Sequence, residues 1–147
     1  MPRLFRPRRL RSCDKLGLGN IAIMLANTSV NEVDLVESVL GAPGIGRIAS
    51  SPSAARKIHE MVVSILDRVA GAQKGEPHLF IELANTLVLA KYQAERRQIS
   101  ECYADIVDYV VRYVSDLLRR GDPAASVFAR RARLVFDALI VGIAGKK

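Results

Sequence analysis

Tryptophan is absent from this chain of 147 residues, and histidine and cysteine occur only twice each. Cys13 and Cys102 form no CxxC pair, and with His59 and His78 as the only imidazoles no zinc or haem pattern can be assembled, so no metal or other cofactor is expected. Nothing in the spacing of the two cysteines requires a disulfide, and both read as reduced thiols of an intracellular protein. Long apolar runs are missing too. The longest, from Leu134 to Ala144, is too short to span a bilayer and contains Asp137. The N-terminus is basic but has no apolar core, because Arg and Pro separate Leu4, Phe5 and Leu10, so neither secretion nor a membrane partner is expected. The expectation is a soluble, cytoplasmic chain.

Catalytic constellations are equally scarce. His59-Glu60 lacks the second histidine of a zinc-protease helix, since Val63 stands four residues on, and His59 reads as a surface or boundary residue. Gly41, Gly44 and Gly46 make no phosphate loop, because no GK[ST] follows them and no strand precedes them. The remaining hydroxyls and carboxylates are scattered, which points away from an enzyme.

What the chain has is aliphatic residues and arginine. Half of it is apolar but only 5% aromatic, enough for one domain with a core packed mainly by aliphatic side chains. Lys and Arg number 22 against 15 Asp and Glu, a net charge of +7. Most of that excess sits in the first fifteen residues, where Arg3, Arg6, Arg8, Arg9, Arg11 and Lys15 face only Asp14. The body is nearly balanced, so local clusters must carry any case for a polyanionic partner.

Pro2, Pro7 and the arginines between them predict an extended basic arm over residues 1–15, followed by a single helical domain over 16–147. A short helix is expected from Leu16 to Asn27. Ser29 and Glu32 form a capping box for the next, with Val33, Val36, Val39 and Leu40 on its inner face before Gly41 and Pro43. Ser51-Pro52 opens a third, with Ile58, Met61, Val62, Ile65, Leu66 and Val69 at helical spacing up to Gly71. After a polar connector, Ala72 to Glu76, Pro77 begins a fourth that carries Phe80, Leu83, Leu87 and Ala90 and reaches Arg97. Ser100 caps a fifth, with Tyr103, Ile106, Val107, Val110, Val114 and Leu117 inward and Gly121 closing it. Asp122-Pro123 starts a sixth, faced by Phe128, Ala132, Val135, Leu139 and Ile143. No segment alternates with period two, so the fold class is all-α, a compact bundle of about five to six helices with antiparallel neighbours.

Cations cluster on these helices: Arg56 and Lys57 at the start of the third, Lys91, Arg96 and Arg97 at the end of the fourth, Arg119 and Arg120 at the end of the fifth. Those at helix ends also suit the macrodipole and need no ligand. Arg130, Arg131 and Arg133, in the middle of the sixth, show no matching run of acids at i±4. Arginine pairs well with phosphate, and non-specific nucleic-acid binding needs several such contacts, so Arg56, Lys57, Lys91, Arg96, Arg97, Arg130 and Arg131 are the candidate contact residues. Tyr92, Tyr103, Tyr109 and Tyr113 are candidate stacking platforms, although Tyr103 falls on the core face.

Three segments carry a family resemblance. Ser53-Ala54-Ala55-Arg56-Lys57-Ile58 with Met61 to Ile65, Leu87 to Arg96 with its Tyr92-Gln93-Ala94-x-Arg96, and Val127-Phe128 with Leu134 to Ile140 are similar in order and spacing to the small subunit of type III-A CRISPR (Csm) effector complexes. Glu95 stands where that family carries glycine, and the arm has no counterpart in it. The resemblance implies a non-catalytic helical subunit, stacked in several copies beside other effector-complex subunits and bound to guide RNA and target RNA. By position it implicates Arg56, Lys57 and Arg96; Lys91, Arg97, Arg130 and Arg131 rest on charge. Rival readings are the small subunit of a type I CRISPR complex, a DNA-wrapping coat protein of an archaeal filamentous virus, which the basic arm would suit, and an adaptor that binds only protein.

Overall fold

Serine, proline and glycine punctuate the long helices of the computed structural model, which describes residues 6–71 and 77–144. Arg3 of the basic arm and the connector from Ala72 to Glu76 lie outside the described residues. Ser51 Oγ accepts from the Ala54 amide at 3.2 Å and opens α3, Pro52–Gly71. Pro77 opens α4, Pro77–Glu95. Ser100 Oγ accepts from the Tyr103 amide at 3.1 Å and caps α5, Glu101–Arg119. Asp122 Oδ1 accepts from the Ala124 amide at 2.9 Å and leads into α6, Ala124–Ala144. Among the described residues there is no strand, only an isolated bridge between Ala49 and Ile99.

The four long helices run alternately up and down. Antiparallel levels are fixed by cross-contacts: His59 meets Asp137 and Ala70 meets Ser126 between α3 and α6, while Arg68 meets Glu82 between α3 and α4. Every inward residue expected on α5 is buried, as are all five on α6. Tyr103 lies at the centre, its ring 6.2 Å from that of Phe136 and its hydroxyl donating to the Ala55 carbonyl. Each fully buried Leu, Ile or Phe here contributes about 1.5–3 kcal/mol, enough to hold helices whose propensities are ordinary.

The first fifty residues differ from the sequence reading. The helix expected over Leu16 to Asn27 is shortened to α1, Ile21–Ala26, and a 3-10 turn, Arg11–Leu16, forms before it within the segment expected as an extended arm. Gly17, in the left-handed region at φ 82°, ends the first piece. The capping box is displaced: Asn31, not Ser29, receives the Asp34 amide and starts α2, Glu32–Leu40. Asparagine two residues later wins because Ser29 gives its own amide to Asn27 Oδ1. The inner face of α2 is Leu35 and Val39, while Val33 and Leu40 are exposed. After a second 3-10 turn, Ile45–Arg47, the chain passes close to α6, where a Cβ on Gly142 would overlap Ile45.

The arm is extended only in part. Leu10 is buried and donates its amide to the Gly19 carbonyl at 2.8 Å, and Cys13, fully buried, is disulfide-bonded to Cys102 on α5. The reading of two reduced thiols is therefore corrected. The two cysteines are 89 positions apart, and no spacing rule reveals a partner at that range.

Closing a loop of that length constrains the unfolded chain, so Cys13→Ser should lower stability by about 3–5 kcal/mol. Urea unfolding with and without a thiol reductant checks this: the parent should lose the same stability on reduction, and the variant should not respond.

Candidate nucleic-acid interface

Two helices of the bundle end in the same hydrogen-bond pattern with different residues at its crux. At the end of α5 the Gly121 amide donates to Leu118 O and the Asp122 amide to Leu117 O, with Gly121 at φ 63°. At the end of α4 the Arg97 amide donates to Ala94 O and the Gln98 amide to Gln93 O, and the left-handed residue is Arg97, at φ 61°. This paired arrangement satisfies orphan carbonyls and normally takes glycine, because a Cβ in that conformation costs roughly 1 kcal/mol. Arg97 is the only described non-glycine residue with positive φ. Its carbonyl accepts from Ser50 Oγ at 2.6 Å, and the Gln98 carbonyl accepts the Ser50 and Ser51 amides, which fastens the end of α4 to the start of α3.

That fastening gathers four of the seven candidates at one end of the bundle. Arg56 and Lys57 are exposed in the first turns of α3, and Arg96 and Arg97 are exposed at the end of α4. Arg47, from the second 3-10 turn, lines the same depression as Arg97 and Ser50, with Glu95 and Glu101 on its wall. Arg96 donates to the Tyr92 hydroxyl at 2.9 Å and lies 5.5 Å from that ring's centre. Among the described residues none of Arg56, Lys57, Arg96 and Arg97 has a carboxylate partner.

Lys91 belongs to a different group: its Nζ is 3.7 Å from Asp108, a buried carboxylate on α5. Arg130 is exposed but remote. The contacts of Arg133 with Asp67 and of Ser126 with Ala70 place it beside the far half of α3, about ten residues, or roughly 15 Å, along that helix from Arg56. The exposed candidate cations are thus divided among separate parts of the surface.

Arg131 is not a contact residue at all. It is 2% exposed and spends all five guanidinium N–H groups inside the protein. Nε donates to Leu25 O; one terminal nitrogen donates to Met24 O and Asn27 O; the other donates to Val30 O and to Glu32. The four carbonyls belong to the end of α1 and the turn into α2; Met24 O and Asn27 O also accept backbone amides, and Arg131 supplies a donor to Leu25 O and Val30 O. The Glu32 carboxyl is held below its ordinary range, first by its own backbone amide and next by Arg131. Being lowered on folding, it adds stability that is lost as pH falls through the carboxylate range.

Arg133 is likewise engaged, by Asp67 at 2.6 Å and by Asp137 at 3.5 Å. Asp137 is thus an acid at i+4 where none was expected to matter. It also meets His59 at 2.8 Å, which places that largely buried histidine in an interhelical hydrogen-bond network. At the end of α5, Asp116 takes both Arg119 and Arg120. Of the tyrosines, Tyr103 and Tyr109 are buried, and desolvation pushes both hydroxyls far above the usual phenol range. Tyr113 stacks on Phe128 at 4.4 Å. Tyr92, half exposed beneath Arg96, is the exposed one of the four tyrosines. No group of three His, Cys, Asp or Glu among the described residues is placed to hold a metal ion, and no helix there is long and apolar enough to cross a membrane.

Two substitutions separate framework from interface. Arg131→Met should cost about 2–4 kcal/mol, because it leaves the Leu25 and Val30 carbonyls without their donor, and should leave nucleic-acid affinity of the folded fraction unchanged. Arg97→Gly should stabilise by up to about 1 kcal/mol while removing one surface cation. Chemical denaturation of each variant, paired with a binding titration, reads both effects. No family model, curated protein or solved structure matches the chain.

Proposed function

We propose that this protein is a non-catalytic subunit that binds the backbone of RNA, in the manner of the small subunits of type III-A CRISPR effector complexes. The observation that carries the reading is the division of the cations. Carboxylates of the protein hold Arg68, Arg112, Arg119, Arg120, Arg131 and Arg133, whereas Arg56, Lys57, Arg96 and Arg97, at the same end of the bundle, are exposed without one among the described residues. Four cations with no carboxylate partner among the described residues, at one end of the bundle, suit a polyanionic ligand. Tyr92 adds a ring for stacking on an unpaired base. The likeness of the segments around Arg56 and Arg96 to that family supports guide and target RNA as ligands and other effector subunits as partners. Ile81 and Val88, 62% and 67% exposed on α4, supply apolar surface that stacking between copies would cover.

The disulfide favours a second reading, the DNA-wrapping coat protein of an archaeal filamentous virus. Disulfides persist on particles exposed to oxidising surroundings, although the cytosol of hyperthermophiles also keeps them. Nucleic acid co-purifying with the protein from its host separates the two, RNA for the first and packaged DNA for the second.

The variant carrying Arg56→Gln, Lys57→Gln, Arg96→Gln and Arg97→Gln should bind RNA at least about tenfold more weakly at low salt. Its log–log salt slope should fall by about 0.7–0.9 for each phosphate that no longer meets a cation. Parent-like affinity and slope in an anisotropy titration would overturn the assignment, and Arg130→Gln measured alone shows whether the remote cation takes part.

A further inference from the structure

Over its two middle turns α4 lacks a charged face. Its inner side buries Leu79, Leu83, Thr86 and Ala90 against the bundle. Its outer side exposes Ile81, Ala84, Asn85 and Val88, and from Leu83 to Ala90 the helix carries no charged residue. The neighbouring α3 is the contrast, with Arg56, Lys57, Glu60, Ser64, Asp67 and Arg68 among its exposed residues. A helix that is apolar on both sides normally lies between two layers, and among the described residues α4 has only one. Ile81 is 62% and Val88 67% exposed.

The four outer residues are spaced i, i+3, i+4 and i+7, so they face outward together, and the set is symmetric about the midpoint between Ala84 and Asn85. Ile81 and Val88 lie on its centre line, each about 5 Å from that midpoint along the helix. Ala84 lies toward α5, in a lining it shares with Phe80 and Leu87, and Asn85 lies toward α3, beside Ser64 and Glu82. A two-fold axis beside the midpoint and perpendicular to the helix axis sets a second α4 antiparallel to the first. Ile81 then meets Val88 of the second copy, while Ala84 meets Ala84 and Asn85 meets Asn85. Alanine lets the two backbones approach to about 8 Å. An amide both donates and accepts, so two asparagines related by a two-fold satisfy each other. Glu82, next to Ile81 in the chain, is held by Arg68, so closing the seam strands no free carboxylate.

We propose that two copies of this protein pair through α4, antiparallel and two-fold, with Ile81 of each copy on Val88 of the other and Ala84 and Asn85 at the axis. The occupant is a second copy because the face complements itself in shape, in hydrogen bonding and in its lack of charge, whereas a phosphate backbone would find no cation there. The pairing rests on the self-stacking part of the reading above, gives it one face and one direction, and needs no RNA. Four residues a side, flanked by Phe80 and Leu87, make a seam near the lower bound of specific interfaces, about 1,000 Å² in total, so the dissociation constant is expected in the micromolar range. Tyr92 lies a turn beyond Val88, outside the four-residue seam.

Sedimentation velocity of the full chain over a dilution series, without RNA, tests the pairing. The parent should pass from monomer to dimer across the micromolar range. Val88→Glu, at an exposed position, should leave the circular dichroism unchanged and weaken pairing about a hundredfold or more, since each dimer would set two carboxylates against isoleucine. Ala84→Cys should be trapped as a disulfide-linked dimer by oxidised glutathione, because the two-fold sets residue 84 against itself; Val127→Cys, exposed on α6, should not. A parent that stays monomeric at several hundred micromolar would overturn the pairing and leave the face to another protein. A dimer that Val88→Glu leaves intact, or an Ala84→Cys variant that cross-links no faster than Val127→Cys, would overturn it as well. None of these results bears on RNA binding, which the fourfold glutamine variant tests separately.

Discussion

The guanidinium of Arg131 is the contact on which the first third of the fold depends. α1 has only six residues, too few to be stable alone, and its last carbonyls have no helical partners. A side chain from a helix more than a hundred residues later reaches four backbone oxygens and one carboxylate, and in doing so fixes α1, the turn after it and the start of α2 to α6. Burying an arginine would be costly without partners, and here every N–H has one. The disulfide performs the related task one segment earlier, tying the Arg11–Leu16 turn to α5. The N-terminal region buries Leu10, Leu18, Ile21, Leu25, Leu35 and Val39 in the common core, and these two ties fix its irregular turns to the four-helix framework.

Carboxylates determine which cations remain available. Asp67, Asp116, Asp137 and Glu82 each engage arginines at helix–helix seams or helix ends, and Asp108 engages three cations at once. Composition counts all these charges alike, yet the geometry sorts them into structural ion pairs and surface donors. Surface ion pairs contribute little stability individually, so their larger consequence is to leave the start of α3 and the end of α4 as the places where, among the described residues, exposed cations have no carboxylate partner.

The framework was legible in the sequence because its signals are local. Ser51-Pro52, Pro77, Ser100 and Gly121 start and stop helices by mechanisms confined to a few residues, and the spacing of aliphatic residues on α5 and α6 identified their buried faces. What remained hidden depends on distant partners. Arg131 falls three residues after Phe128 and four before Val135, on the inner stripe of α6, so its register argued for burial; the charge of its neighbours Arg130 and Arg133 pointed outward instead. The cysteine pairing and the convergence of Arg8 and Lys91 on Asp108 join residues whose separation in the chain says nothing about their meeting. The displaced start of α2 reflects competition between two local caps, in which Ser29 was drawn into a turn with Asn27.

The antiparallel order of the long helices bears on the electrostatics of the end where Arg56 and Arg97 meet. Two helices begin there, α3 and α5, and two finish there, α4 and α6. Partial positive charges of the first pair and partial negative charges of the second lie side by side, so the macrodipoles largely offset one another. Unlike a phosphate loop on a single helix start, this end draws its polarity from side chains. Its charge can therefore be tuned or reversed one exposed residue at a time, without disturbing the backbone beneath.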